Sequence, residues 1–539
     1  VTFAIVAPDS HVITVTDTNH ESRTGDFVTF SGAVGLGGDI TADVLNQEYQ
    51  VQTTTNNTYT IHARTATTDI NQYYSGGSVD DTAAYVNATA DDVGNGGASV
   101  VGAYQVQTGV DTSTFGPGWG AGTWSRGAWN SRASVNVLSE NLRLWQHDTF
   151  GEDLVFCIRD GPVFYWDTSG TTSQRGVYLS SLASASNTPT IAKQVMVSDV
   201  DRHVIAFGCN PLGSNAQDPL LIRFSDQENP ADWTPRTTNT AGDLRIGSGT
   251  AIVQAVETRQ EILVFTDQAL HSMQFIGPPY TFGINRVSEN ITIRSPNSAV
   301  AVGDSVYWMG VDQFYVYRGN VNQLNCTVKE KILTDINNEQ STKIFAGINS
   351  GFQEIWWFYP SVNSDNIDKY VVYNYNMDIW YYGTLNRTAW IDRGIDDFPV
   401  AAGTDGKLYF HEYEIDDQSG SSPAAVESFI QSAPIDLGDG ETFSYVRKLI
   451  PDVTFRTSTN PAPQVDFTVD AFNYNGGLQV STDVANIVKS SSVPIEQYTE
   501  KVDLRVRGRA ISLKISSNQV GTTWRTGLNR LDIRPDGKR

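Results

Sequence analysis

A hairpin pattern that returns six times constrains this chain more than any other feature. Its clearest copy is DSVYWMGVDQFYVYRGN (Asp304 to Asn320), in which two apolar runs rich in Val, Tyr, Phe and Trp flank a short turn, the signature of an antiparallel hairpin. Further copies are LVFCIRDGPVFYWD (154–167), EILVFTDQALHSMQF (261–275) and EIWWFY with KYVVYNY (354–375). Two weaker ones are HVIAFG with LLIRFSD (203–226) and FPVAAGTDGKLYFHEY (398–413). Their first apolar residues, Leu154, Val204, Ile262, Val306, Ile355 and Val400, are spaced by 50, 58, 44, 49 and 45 residues. Another short run precedes each: NLRLW (141–145), KQVMV (193–197), AIVQAV (251–256), SAVAV (298–302), KIFAGI (343–348) and TAWID (388–392). Room for a fourth strand follows most of them. A repeat of this length holding four short strands predicts the blade of a β-propeller, and six repeats predict about six blades.

The fold class expected is therefore all-β, and composition agrees. Aromatic residues make up 11% and charged residues only 18%, while helix-favouring runs are scarce. At 539 residues the chain exceeds a single core, so several domains are expected. Residues 1–65 alternate with period two in VTFAIV, HVITVT, DFVTFSG, EYQVQT and TYTIHA, which predicts a small β-sandwich-like domain. Residues 66–130 read as a Gly- and Ser-rich connection, with YSGG at 74–77, GNGG at 94–97, GPGWGAG at 116–122 and one strand-like piece, ASVVGAYQVQT (98–108). The propeller then occupies 131–423. Residues 424–539 form a C-terminal β platform domain, in which RVRGRAISLKI (505–515) reads as a hairpin with arginines on one face and apolar residues on the other.

Formal net charge is −23, which disfavours a surface that grips phosphates but not one past which nucleic acid slides. The charge is uneven. Residues 430–539 hold 14 Lys or Arg against 12 Asp or Glu, so the remaining 429 residues carry −25. No apolar run reaches the ~18 residues of a membrane span, and no signal peptide is visible. A start at Val1 rather than Met is expected where an N-terminal piece has been processed or left out. Cys157, Cys209 and Cys326 form no CxxC pair and read as buried reduced thiols.

The search for chemistry assigns no catalytic, cofactor-binding or metal-binding residue. SDQENPADW (225–233) is the nearest approach to a sialidase Asp box, SxDxGxTW, but lacks its glycine and spacing; it reads as a polar turn in which Asp226 and Asn229 bond local backbone before Trp233 packs. The seven histidines, His11, His20, His62, His147, His203, His271 and His411, show no ligand spacing. The acidic stretches at 80–92 and 436–441 read as solvated turns rather than calcium loops. Trp166, Trp308, Tyr317, Trp356, Trp357 and Trp380 are expected to pack between blades rather than stack on sugar.

Several stretches carry a resemblance: LWQHDTFGEDLVF (144–156), LLIRFSDQENPADWTP (220–235), EILVFTDQALHSMQFIGPPYTFG (261–283), SVYWMGVDQFYVYRG (305–319) and the terminal WRTGLNRLDIRPDGKR (524–539). Over roughly residues 120–539 the chain resembles the tail nozzle family of short-tailed bacteriophages, also called tail tubular protein B; residues 1–65 do not match. The resemblance implies a structural virion protein that is not an enzyme. Six copies would form a ring below the portal and adaptor and contact other tail proteins, enclosing a channel for genomic DNA. Assembly would take place in the host cytoplasm, with no cofactor. The alternative function is a tail or secreted propeller that binds or cleaves host glycan, and a cellular propeller scaffold is a third.

Overall fold

The computed structural model of the chain describes residues 1–18, 20, 22, 24–55, 57–65, 85–105, 142–170, 176–436, 441–473 and 487–537. YSGG, GPGWGAG, most of the 66–130 connection and parts of both acidic stretches (80–84 and 437–440) lie outside these residues. The described residues are nearly all β, with 46% strand and 4% helix, as composition predicts. Among the described residues no helix is long and apolar enough to cross a membrane.

The chain divides into two compact units. The first comprises Val1–Ala346, Ile355–Tyr373 and Met377–Leu385, and the second Gly347–Glu354, Asn374–Asn376 and Asn386–Arg539.

Within the first unit, Thr2–Ile5, Val12–Thr16 and Thr58–His62 form one antiparallel sheet, and Glu48–Gln50, Phe27–Ser31 and Val101–Gln105 form another. Alternate residues of these strands point into one apolar core, where Phe3, Ile13, Val15, Val28, Phe30, Tyr59 and Ile61 are at most 2% exposed. Ala88 and Val100 join the same core, and Phe27 to Ser31 pair in register with Gln105 to Val101. Residues 85–105, which composition alone reads as connection, are thus built into this sheet pair. Their glycines permit close approach: a Cβ on Gly94 would lie 2.7 Å from the Leu36 carbonyl oxygen, and Gly96, at φ +86°, sits against the Phe3 ring.

Four four-stranded antiparallel meanders follow in the first unit. They run through Trp145–Phe150, Asp153–Ile158, Val163–Trp166 and Val177–Tyr178; then Gln194–Val197, Val204–Phe207, Leu221–Phe224 and Gly242–Arg245; then Ile252–Glu257, Ile262–Thr266, Ala269–Gly277 and Thr281–Glu289; then Ala299–Val302, Ser305–Met309, Phe314–Tyr317 and Val321–Leu324. A fifth meander is built from Phe345–Asn349, Glu354–Tyr359, Lys369–Asn374 and Ile379–Thr384, and lies mostly in that unit. Val204–Phe207 and Phe314–Tyr317 are buried along their whole length, because both sheet faces are covered.

The hairpins and five of the six preceding runs coincide with strands. The first run does not: NLRLW gives way to Trp145–Phe150, whose residues are all exposed or half-buried, so no apolar signal marked it.

Aromatics join successive meanders. Trp308 is fully buried, stacked on Tyr315 at 5.3 Å and edge-on to Phe265 of the preceding meander at 5.0 Å. The Tyr317 hydroxyl donates to Glu261 Oε1 at 2.6 Å, and the Trp357 indole N–H to the Ser298 carbonyl at 2.9 Å. Trp357 and Trp380 also pack on Phe314 of the fourth meander, at 5.1 and 4.8 Å, whereas Trp356 lies on Tyr370 within the fifth meander itself. Trp166 is half-buried in the first meander. Cys157 and Cys209 are buried, and burial raises both thiols to about 12.

In the second unit, Ala389–Ile391, Val400–Ala402 and Leu408–Phe410 form a three-stranded meander. Further on, Ser428–Gln431, Ala510–Ser517, Gln464–Phe472 and Lys489–Glu496 form a sheet, with Ile435–Asp436 also pairing with the 510–517 strand. Val502–Gly508, Ser444–Ile450 and Arg530–Pro535 form another. Val446, Leu449, Leu504 and Val506 of one meet Val465, Phe467, Val469 and Ile515 of the other in a shared core.

RVRGRAISLKI is therefore not a hairpin. Its two halves pair with different strands, 444–450 and 464–472, and the chain switches sheets at Gly508. A Cβ there would lie 2.9 Å from that of Ala471, so only glycine lets the corner pass this close. Both halves still turn their apolar residues inward, which is why alternation alone suggested one hairpin.

Candidate functional site

Three consecutive meanders bring carboxylates together on or just beyond their first strands. Asp148 lies on Trp145–Phe150, Glu257 ends Ile252–Glu257, and Asp199 and Asp201 follow Gln194–Val197. Asp148 Oδ2 accepts the Val197 N–H at 2.8 Å, and Glu257 Oε1 accepts the Asp199 N–H at 3.0 Å. The end of the middle strand is thus held from both sides by acids of its neighbours. Asp199, Val200, Glu257, Thr258, Arg259 and Gly303 line the adjoining recess.

Glutamines align these strands. The Gln194 amide donates to the Ala255 carbonyl at 2.8 Å and accepts the Ala255 N–H at 2.8 Å. Gln254 does the same to Ala299, at 2.9 and 3.0 Å. Each two-point clamp satisfies backbone groups that face the preceding meander rather than a strand of their own sheet, and so fixes the spacing between first strands. Arg159 reaches the same strand: its guanidinium donates to the Val253 carbonyl at 3.0 Å, and burial lowers its pKa.

Crowding shapes the titration of the acids. Burial raises Glu257 to about 7; Asp199, Asp148 and Asp201 add repulsion that acts the same way, while the Asp199 N–H opposes it. Burial also raises Asp148, against hydrogen bonds from Val197 and Thr149, and raises Asp201. A carboxyl that ionises near neutrality in such a group can hold a proton for general acid–base work or act as a pH-sensitive structural contact.

The sign of the stability effect follows. Because the folded-state pKa of Glu257 lies above its unfolded value, ionisation adds no penalty below the ordinary range near 4.3 and a full one above about 7. Stability should therefore fall as pH rises from 5 to 8. Glu257→Gln should flatten that slope and stabilise the protein at pH 8, by on the order of 1 kcal/mol. Melting curves of both proteins at pH 5 and pH 8 check this; equal slopes would remove Glu257 as the titrating group.

Residues singled out in the sequence are placed elsewhere. In SDQENPADW, Asp226 Oδ1 accepts from the Thr240 N–H and hydroxyl at 2.9 and 2.8 Å, Asn229 Oδ1 accepts the Ala231 N–H at 3.0 Å, and Trp233 is 1% exposed with its indole N–H on the Pro230 carbonyl. His203 and His411 are pushed down to about 4, chiefly by burial, and burial lowers His271 as well. His11 and His62 meet edge-on at 4.9 Å. Among the described residues no group of three His, Cys, Asp or Glu side chains is placed to hold a metal ion.

The acidic junction was not identified from sequence, where 60 carboxylates offered too many candidates. One signal was available: an acid closes the first apolar run in KQVMVSD, AIVQAVE and SAVAVGD, at Asp199, Glu257 and Asp304.

No family model and no curated protein matches the chain. Among solved structures the chain is similar to a mutant of the Synechocystis apocarotenoid oxygenase, with 8% identity and a TM-score of 0.28, over 73% of this chain and 86% of that one. That neighbour is an enzyme, which runs against the sequence expectation that the chain is not one. At this degree of likeness neither fold nor oxygenase chemistry carries over.

Proposed function

We propose that the chain is a virion protein, the tail nozzle subunit of a short-tailed bacteriophage, and that copies of it, six by the resemblance, form a ring below the adaptor around the channel through which the genome leaves. In this reading the meanders are the blades of a propeller of about six blades, flanked by a small N-terminal β domain and a C-terminal β platform. Assembly takes place in the host cytoplasm, and the finished subunit resides in the phage tail.

The observation that carries the reading is the succession of clamped four-stranded meanders in the stretches that bear the resemblance. Gln194 and Gln254 tie consecutive meanders, and the Gln146 amide of the first donates to Asn297, ahead of the fourth, at 2.7 Å. Bonding between non-consecutive meanders is what packing about a common axis requires. The −25 carried by residues 1–429 suits a wall past which phosphates slide without release of counterions. Cryo-electron microscopy of purified virions tests the proposal: a ring of this chain at the tail is expected, and its absence from the tail overturns the assignment.

One observation favours a second reading, glycan binding or cleavage. Glu257, raised to about 7 chiefly by burial and packed among three other carboxylates, has the character of a general acid. Release of sugars from host polysaccharide by the purified protein, lost in Glu257→Gln, would decide for it.

A further inference from the structure

The sheet of Val502–Gly508, Ser444–Ile450 and Arg530–Pro535 buries one face in the core of the second unit and turns the other outward. Register and burial assign that outer face. Arg507 lies opposite Tyr445, which lies opposite Arg534; Lys448 is flanked by Asp503 and Asp532; Ile450 lies opposite Arg530. Arg447 occupies the bulge between Val446 and Lys448, and Arg505 extends the same row on the neighbouring strand. The face thus presents six basic residues, Arg447, Lys448, Arg505, Arg507, Arg530 and Arg534, against two acidic ones within its strands, Asp503 and Asp532, and a third, Asp536, beside Arg507. Arg447, Arg505, Arg530 and Arg534 are exposed. Among the described residues Arg507 forms an ion pair with Asp536 on this face, at 2.5 Å, and also lies over the Phe443 ring at 4.1 Å.

A patch of this sign is anomalous on a chain whose net charge is −23. Solubility does not explain it, since added acid would serve better. Its planar guanidinium groups suit carboxylates held in bidentate pairs. The nearest abundant source of carboxylates is the chain itself, with −25 over residues 1–429.

We propose that this basic sheet face docks the acidic surface of residues 1–429 on a second copy of the chain. The contact joins two different surfaces, so it is heterologous and propagates head to tail, closing into a ring where the rotation allows. This inference rests on the ring reading above and adds to it the surface that makes the contact. Duplex nucleic acid is the less favoured occupant. Asp503 and Asp532 sit on both sides of Lys448 within the face and would oppose phosphates, and the whole chain repels a polyanion at long range.

The test uses the full chain. Native mass spectrometry and sedimentation velocity are run at 50, 150 and 500 mM salt on the wild type, on Arg505→Glu/Arg534→Glu and on the milder Arg505→Gln/Arg534→Gln, with a duplex DNA binding assay alongside. Both pairs of substitutions are on exposed positions, and unchanged melting confirms the fold. The expected result is assembly that weakens with salt, at least ~10-fold weaker association for the reversed pair, and an intermediate effect for the neutral pair. Assembly that ignores both salt and charge reversal overturns this inference and leaves the ring reading standing. A wild type that stays monomeric at high concentration overturns both. Duplex binding lost in the reversed pair while assembly is unchanged overturns the second-copy partner in favour of nucleic acid.

Discussion

Trp308→Ala should destabilise the first unit by about 3–5 kcal/mol, the range for deleting a large aromatic side chain from a packed interior. The indole is fully buried and serves two meanders at once. It stacks on Tyr315 within its own hairpin, meets Phe265 of the preceding meander edge-on, and donates its N–H to the Thr292 carbonyl at 3.2 Å. Removal leaves a cavity against Phe265 and Tyr315, in a buried cluster that also holds Leu263 and Val306, residues of two sheets that cannot collapse together easily. It also orphans the Thr292 carbonyl. Trp308→Phe keeps the ring contacts and should cost less than half as much. Chemical denaturation followed by near-ultraviolet circular dichroism gives both values; a loss below 1 kcal/mol for the alanine variant would mean that the meanders do not depend on this contact.

Asp92→Ala should have a comparable effect, confined to the N-terminal sheets. Asp92 is 1% exposed, and its carboxylate accepts the N–H groups of Gly38, Asp39, Ile40 and Thr89 at 2.8, 3.2, 3.1 and 2.8 Å, with the Thr89 hydroxyl at 3.1 Å. Alanine leaves four N–H groups and a hydroxyl without their acceptor, a cost of about 3 kcal/mol or more. Burial alone would raise the pKa of Asp92, but the hydrogen bonds from Thr89, Gly38 and Ile40 outweigh it and hold the pKa below the ordinary value. A carboxyl depressed in the folded state contributes stability that is present above its unfolded pKa, near 3.9, and lost as pH falls through the folded one. Hydrogen exchange followed by mass spectrometry should show faster opening of residues 33–45 and 85–100 in Asp92→Ala at pH 7. The wild type should approach the variant as pH falls below about 4. Equal exchange at pH 7 would show that the loop does not depend on this carboxylate.

How far these features could be read in advance differs by type. The hairpin at 304–320 was legible because its apolar runs are buried almost throughout and the turn between them, MGVDQF, carries Gly and Asp. Trp145–Phe150 was not legible, since it alternates between exposed and half-buried positions and NLRLW beside it is the more apolar string. GNGG misled in the opposite direction. Composition marks such a run as connection, yet Gly94 and Gly96 are where the backbone passes against Leu36 and Phe3. The acidic junction was harder still, because Asp148 and Glu257 are 109 residues apart and both bond to the strand end between them.

Periodicity in the sequence, by itself, determined that this chain is all-β and that its middle is written in repeated four-strand units, because the burial of alternate or consecutive side chains leaves a one-dimensional trace. Tertiary structure alone decided which strands pair and which groups meet. RVRGRAISLKI alternates like a hairpin but is shared between two sheets, since alternation records which side of a strand is buried and carries nothing about its partner. The same holds for the clamps of Gln194 and Gln254, the capture of the Gly38, Asp39 and Ile40 N–H groups by Asp92, and the basic row across three strands. Each is a contact between residues far apart in the chain, fixed by packing geometry that no local pattern encodes.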